Sequence, residues 1–388
     1  MTAPWPSFTE EEQDAVARLI ASNRVNYWTG TEARDFEREF AQWVGSSHAI
    51  ALANGTLALE VALKALGIGP GDEVIVTPRT FIASVSCVVN QGATPIFADI
   101  DRDSGNITPE SARAVLSDAT RAIIPVHLGG WPCDMEGFQE LANERQIAII
   151  EDCAQAHGAT INGRNVGTFG IIGSWSFCQD KIITTGGEGG MINTDDEELW
   201  SRMWSFKDHG KSFEQMQKTD GPAGFRWVHE SFGSNYRMLE VQAVLGRIQL
   251  RRLADWHAER TRNANAIAEA LLPFGGAIRV PRPEGPFVHA YYRLYAYVRP
   301  EGLRDGWNRD RIVAELNKRG MPAFQGSCSE VYLEKAFDGM PFRPAERLPV
   351  ARELGDTSIA FLVHPTLTAE DLAAWRRAIG EVFSEASA

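Results

Sequence analysis

The sequence predicts an α/β protein: a mainly parallel sheet with helices on both faces, followed by a smaller α+β unit. Two observations carry this. Up to Met238, short continuous apolar runs alternate with helical segments, the pattern of strands buried on both faces and joined by crossover helices. Beyond Met238 the alternation stops. A long helical stretch follows, then a proline-rich passage, then a tyrosine-rich run of strand character.

Thr9 followed by Glu12 forms a capping-box signature, and Val16, Leu19 and Ile20 then fall on one helical face. Ala33, Phe36, Phe40, Trp43 and Val44 form the apolar stripe of a second helix. Residues 50–53, 74–77, 95–98, 122–126 and 147–151 read as strands, and 57–66, 81–90, 109–116 and 136–144 as the helices between them. Apolar runs at 174–178 and 191–193 complete the large sheet. Glycines at 69, 71, 129 and 130 punctuate its turns. Residues 238–272 read as helix with a break near Asp255. Pro281, Pro283 and Pro286 mark a turn-rich passage. A strand over 289–298 and helices over 309–318 and 369–382 close the chain.

With 388 residues the chain exceeds one ordinary core, so two domains are expected. A net charge of -13 argues against a nucleic-acid binder, which needs clustered Lys and Arg. The N-terminus shows neither a basic leader nor an apolar signal core, and no apolar run is long enough to span a bilayer. Five cysteines at 87, 133, 153, 178 and 328 include no CxxC pair, which suits a reduced cytoplasm rather than a disulfide framework or a metal site. The expectation is a cytoplasmic protein that uses neither membrane nor nucleic acid.

Three segments carry chemistry. Asp152, in Glu151-Asp152-Cys153-Ala154-Gln155-Ala156-His157, follows a predicted strand, where ligands bind in open α/β sheets. By position alone it could equally be a helix cap. Lys181 lies between the run 174–178 and the glycines at 186–190, where it could form a Schiff base with an aldehyde cofactor. A lone lysine is more often a solvated surface residue, and the glycines lack the G-x-G-x-x-G spacing of a dinucleotide loop. Asn54-Gly55-Thr56 precedes a helix whose amide groups could take a phosphate, though the segment would also serve as a plain N-cap. Together they match the needs of pyridoxal phosphate (PLP): a lysine for the aldehyde, a carboxylate for the pyridine nitrogen, and donors for the phosphate.

With these motifs the chain resembles the DegT/DnrJ/EryC1/StrS family of sugar aminotransferases. The similarity runs from about Phe36 to about Leu250. It also takes in Gly67 to Val76, Gly92-Ala-Thr-Pro95 before Asp99, Pro125-Val-His-Leu128, and Asn235-Tyr236-Arg237. The resemblance implies the type I fold of PLP enzymes, with a mainly parallel seven-stranded sheet. It also implies a large PLP-binding domain over 1–250, and a linking helix with a small α+β domain over 251–388.

By the same resemblance Lys181 holds the cofactor and shuttles the proton, and Asp152 pairs with the ring nitrogen. Ala154 packs under the ring, Phe81 covers its other face, and Gln155 meets the phenolic oxygen. Gly55, Thr56 and Ser176 hold the phosphate, joined by Asn235 from a second subunit, so a homodimer with shared sites is implied. Arg237 is expected to clamp the carboxylate of the amino donor, L-glutamate. His157 is a candidate contact to substrate, with a structural histidine as the equal alternative. The implied acceptor is a nucleotide-linked keto-sugar, a 4-keto-6-deoxyhexose being favoured. Trp131 and Arg79 depart from what the family usually carries and are expected to bear on the acceptor, as is the segment 325–329.

Two alternatives share the scaffold. In the sugar dehydratases of this family histidine replaces the lysine, and position 181 is lysine. A PLP-binding regulator would call for a DNA-contacting element, and neither a helix-turn-helix segment nor a basic patch is evident.

Overall fold

The computed structural model describes residues 4–218 and 226–388. Its large sheet is assembled from β1 (His48–Leu52), β2 (Glu73–Val76), β3 (Thr94–Phe97), β4 (Thr120–Ile124), β5 (Ala148–Asp152), β8 (Ile172–Ser176) and β9 (Gly190–Thr194). Between β5 and β8 lie the short strands β6 (Thr160–Ile161) and β7 (Arg164–Asn165). The sheet order is β1-β9-β8-β5-β4-β2-β3. Neighbours pair in parallel except at β9, which runs antiparallel to both β1 and β8. The seven-stranded, mainly parallel sheet expected from the sequence is therefore present.

Helices cover both faces. α1 (Glu10–Ala21) opens on the Thr9–Glu12 capping box. α2 (Glu32–Val44) buries Ala33, Phe36, Phe40 and Val44 and stops at Gly45, whose φ of +87° ends the helix in the left-handed region. α3 (Gly55–Ala65) packs on β8 and β9. α4 (Ala83–Asn90) starts two residues later than expected, which leaves Phe81 on the turn before it. The expected helix over 109–116 is shorter, Pro109–Arg113.

The helix Glu240–Leu271 runs unbroken through Asp255. Asp255 is exposed, and no proline interrupts the helix, so nothing there forces a break. The expected domain boundary at 250 falls inside this helix. Its first half packs on α1 and α2, and the second half lies in a separate core with the C-terminal helix Ala369–Ala386. Glu240 caps α2 by accepting from the Glu32 and Ala33 amides at 2.6 and 3.2 Å. No helix among the described residues is long and apolar enough to cross a membrane.

The C-terminal sheet is antiparallel: Ile278–Arg279, Leu294–Val298, Ser358–Phe361 and Ala323–Phe324, in that order. The strand expected over 289–298 is confined to its second half. Tyr291 takes a φ of +51° and stacks on His289 at 4.2 Å, and this bend directs the following residues differently from an extended strand.

Candidate active site

Strand ends from the large sheet and loops of the C-terminal part enclose a cleft of about 1020 Å³. At one end Asn54 caps α3, its Oδ1 accepting from the Leu57 amide at 3.0 Å. The helix therefore starts at Gly55, and the Gly55 and Thr56 amides have no carbonyl partner within it. Ser176, at the end of β8, presses against this start: a Cβ on Gly55 would meet Ser176 Cβ at 2.6 Å. Glycine is required here by close approach, and the result is a tight group of donors at a helix N-terminus, suited to an anion.

Asp152 ends β5 and is 5 % exposed. Its Oδ2 accepts from Ser84 Oγ at 2.7 Å and its Oδ1 from the Ala154 amide at 3.1 Å. Burial pushes its pKa above the usual carboxylate range, against the opposing pull of Ser84, the Ala154 amide and Lys181. A buried carboxylate with no cationic partner in hydrogen-bond contact suits a protonated ring nitrogen.

Lys181 follows β8 in the same cleft. Its Nζ lies 3.9 Å from Asp180 Oδ1 and 4.9 Å from the centre of the Tyr292 ring. Asp180 accepts from Tyr292 Oη and, at 3.1 Å, from Arg293 Nη2. Burial pushes the Asp180 pKa up, but Lys181, the Tyr292 hydrogen bond and Arg293 outweigh it and hold the pKa below the usual value. The C-terminal part thus braces the lysine through Tyr292 and Arg293. Sequence reading missed both, although an acidic residue directly before the lysine was a signal that a counter-group would be needed.

Phe81, Ala154 and Gln155 line the same cleft. Gln155 Oε1 accepts from the Gly129 amide at 2.6 Å, which leaves its NH2 group as the donor for a ligand. Phe81 is 69 % exposed at the cleft wall.

Three of the expected residues do not line this chain's own cleft. His157 is fully buried between Trp175 and Phe177, with ring centres 5.1 and 5.6 Å away, and does not line the cleft. Burial pushes its pKa down to about 3, so it stays neutral, and contact with substrate is replaced by a packing role. Arg237 does not line the cleft either. Its Nη1 donates to the fully buried Asp208 at 2.8 Å, an ion pair within the chain. Asn235 is exposed and lies outside its own chain's cleft.

Behind the site, His127, Glu151 and Cys153 cluster closely enough to hold a metal ion. Their ligand atoms are already engaged. His127 Nδ1 accepts from the Cys133 amide, and its Nε2 lies 3.0 Å from Glu151. Glu151 also accepts from the amides of Gly167, Phe169 and Gly170. This buried hub fixes the backbone next to Asp152.

A buried carboxylate, a lysine and a donor-rich helix start facing one cleft fit pyridoxal phosphate in their chemistry. With the α/β fold they define a PLP-dependent enzyme of the aminotransferase type. The chain belongs to the DegT/DnrJ/EryC1/StrS aminotransferase family, whose sequence profile matches residues 6–378. It is similar to the aminotransferase from Psychrobacter cryohalolentis, with 60% identity over 99% of both chains and a TM-score of 0.98. Among curated relatives it is 32% identical to the GDP-perosamine synthase of Escherichia coli O157:H7, over 98% of each. It is 34% identical to the dTDP-3-amino-3,4,6-trideoxy-alpha-D-glucose transaminase of Streptomyces venezuelae, over 95% of this chain and 90% of that one.

Proposed function

We propose that the protein moves an amino group from L-glutamate to the ketone of a nucleotide-linked sugar, and that a second copy of the chain completes each site. A 4-keto-6-deoxyhexose on the way to a surface glycan is the acceptor we favour. The observation that carries the reading is Lys181, set in one cleft with Asp152 and the α3 start. The relatives support the acceptor class and leave the base open, since one product carries GDP and another dTDP.

Bound PLP supplies an electron sink for a substrate carbon that gives up its proton. Lys181 would hold the cofactor's aldehyde, and its amine, when free, would move the proton at that substrate carbon. The negative charge of Asp152 keeps the ring nitrogen protonated. Phe81 and Ala154 would confine the ring, and the Gln155 NH2 group would donate to its phenolic oxygen. Gly55, Thr56 and Ser176 would donate to the phosphate. The exposure of Asn235 suits a residue offered to the phosphate of a second copy.

The test is the absorption spectrum of the purified protein before and after L-glutamate, repeated with Lys181→Ala. A band of lysine-bound cofactor that converts to the pyridoxamine form with glutamate, and is missing from the mutant, is expected. A PLP-loaded protein that glutamate leaves unchanged overturns the donor. A protein that binds no PLP overturns the reading as a whole.

A further inference from the structure

Nothing in the cofactor contacts accounts for Arg79. Its side chain is fully buried. Nη1 donates to Ser329 Oγ at 3.1 Å, while Nε and Nη2 have no hydrogen-bond partner. The guanidinium lies over two tyrosine rings, 5.1 Å from the centre of Tyr295 and 5.8 Å from that of Tyr297. Taking a cation out of water without an anion is costly, and stacking on aromatic rings offsets only part of that. An apolar side chain of the same length would fill the space at less cost, so the charge and reach of Arg79 answer another demand.

That demand is visible in what the residue holds. Residues 78–80 run beside 328–331: the Thr80 amide donates to Cys328 O at 3.1 Å and the Val331 amide to Pro78 O at 2.9 Å. The Ser327 amide donates to Tyr295 Oη at 3.0 Å, and Tyr295 Oη donates to Ser327 Oγ at 3.2 Å. Gly326, with φ +93°, packs so closely on the same ring that no Cβ would fit. Arg79 and Tyr295 therefore pin the segment 325–329 to the turn that carries Thr80 and Phe81. Gly326, Ser327 and Cys328 line the cleft but make none of the cofactor contacts argued above.

We propose that Arg79, stacked on Tyr295, positions segment 325–329 as the wall against which the acceptor sugar is seated. It is a positioning residue for the acceptor half-reaction and not for the donor half-reaction. An amino acid donor is small and need only reach Lys181, whereas a nucleotide-linked sugar must be held along the rest of the cleft. The inference rests on the nucleotide-sugar aminotransferase reading.

The experiment compares the PLP-loaded wild type with Arg79→Met and Tyr295→Phe. The donor half-reaction is followed by absorbance with L-glutamate alone. The acceptor half-reaction uses the pyridoxamine form with GDP-, UDP- and dTDP-linked 4-keto-6-deoxyhexoses, and the sugar that the wild type accepts is carried to the variants. Both variants are expected to keep the donor rate within about twofold and to raise the acceptor KM about tenfold or more, with a smaller change in kcat. Hydrogen exchange at the Ser327 and Val331 amides should quicken in Arg79→Met. Equal losses in both half-reactions, or an unchanged acceptor KM, overturn the proposal. If Arg79→Met does not fold, Tyr295→Phe decides alone, since it keeps the ring under the guanidinium and removes only the hydroxyl that holds Ser327. A wild type inert toward glutamate or toward all three sugars would sink the underlying reading before any variant was compared.

Discussion

Ser84 Oγ donates to Asp152 Oδ2 at 2.7 Å, and Thr80 Oγ1 stands 2.8 Å behind it. Because the Ser84 hydrogen is committed to the carboxylate, Thr80 must be the donor to Ser84. The turn after β2 and the start of α4 thus deliver a directed hydrogen bond to the residue at the end of β5, across the intervening strand β4. The same turn carries Phe81, so one short segment orients Asp152 and walls the cleft.

Asp152→Asn is expected to separate stability from cofactor binding. Burial raises the Asp152 pKa, so the folded protein holds that proton more tightly than the unfolded chain does. Its contribution to stability is full below the unfolded value of about 3.9 and is lost as pH rises through the raised folded value. At pH 7 the cofactor-free mutant should therefore melt above the cofactor-free wild type. Its affinity for PLP should fall about ten- to a hundredfold, the worth of a charge-assisted hydrogen bond. Thermal melts and PLP titrations check both, and a mutant apo-protein that melts lower at pH 7 would refute the stability argument.

His157→Leu should leave catalysis untouched. Neither ring nitrogen has a partner, and burial pushes its pKa down to about 3. A histidine lowered in the fold contributes fully above its unfolded pKa of about 6.5, and that contribution drains as pH falls toward the folded value. The variant should show a flatter loss of melting temperature between those limits than the wild type, with the pH profile of kcat unchanged. A shifted kcat profile would restore His157 to the chemistry.

These two residues show what could be read in the sequence. Asp152 was legible because Lys181 and Asn54 completed a set, since by position alone a carboxylate after an apolar strand serves equally as a helix cap. His157 sits five residues further along the same motif, and nothing in the pattern says whether its ring turns to the cleft or to Trp175. The large sheet was legible since its strands are continuous apolar runs. The strands Ala323–Phe324 and Ser358–Phe361 were not, being too short to show a period. Tyr292 and Arg293 were missed for another reason. Their position follows from the bend at Tyr291, and a positive φ at a tyrosine carries no sequence signature.

Asp180→Asn tests the brace between Lys181 and the C-terminal part. Asp180 accepts from Tyr292 and Arg293, and its lowered pKa makes it a stabilising anion above an unfolded value of about 3.9, with the benefit lost as pH falls through the lower folded value. Because its side chain is 46% exposed, the contribution should stay below about 1 kcal/mol. The variant should therefore lose part of the wild type's decline in stability below about pH 4. With Arg293 and Tyr292 released, the donor half-reaction should slow about tenfold, the scale of one charge-assisted hydrogen bond. Single-turnover absorbance with glutamate measures it, and an unchanged rate would make the brace irrelevant to the lysine.

Gly55→Ala addresses the phosphate cradle. Alanine is the better helix former, so by propensity alone the change should stabilise α3. The added Cβ, however, would lie 2.6 Å from Ser176 Cβ and 3.1 Å from Ser176 Cα. Ser176 belongs to a buried strand paired on both sides and cannot retreat, so the helix start must move instead. The displacement carries the Gly55 and Thr56 amides away from the position they share with the Ser176 hydroxyl. Overpacking of this kind costs about 1–3 kcal/mol, and where that strain is paid at the ligand, PLP affinity falls about ten- to a hundredfold. The apo-protein should stay folded, because the fault lies at one helix end. Adding Ser176→Gly removes the colliding Cβ but also the hydroxyl, so the double variant should recover part of the affinity and not all of it. PLP titration of the wild type and the two variants measures this. A Gly55→Ala protein that binds PLP as tightly as the wild type would mean that the helix start is not where the phosphate is held.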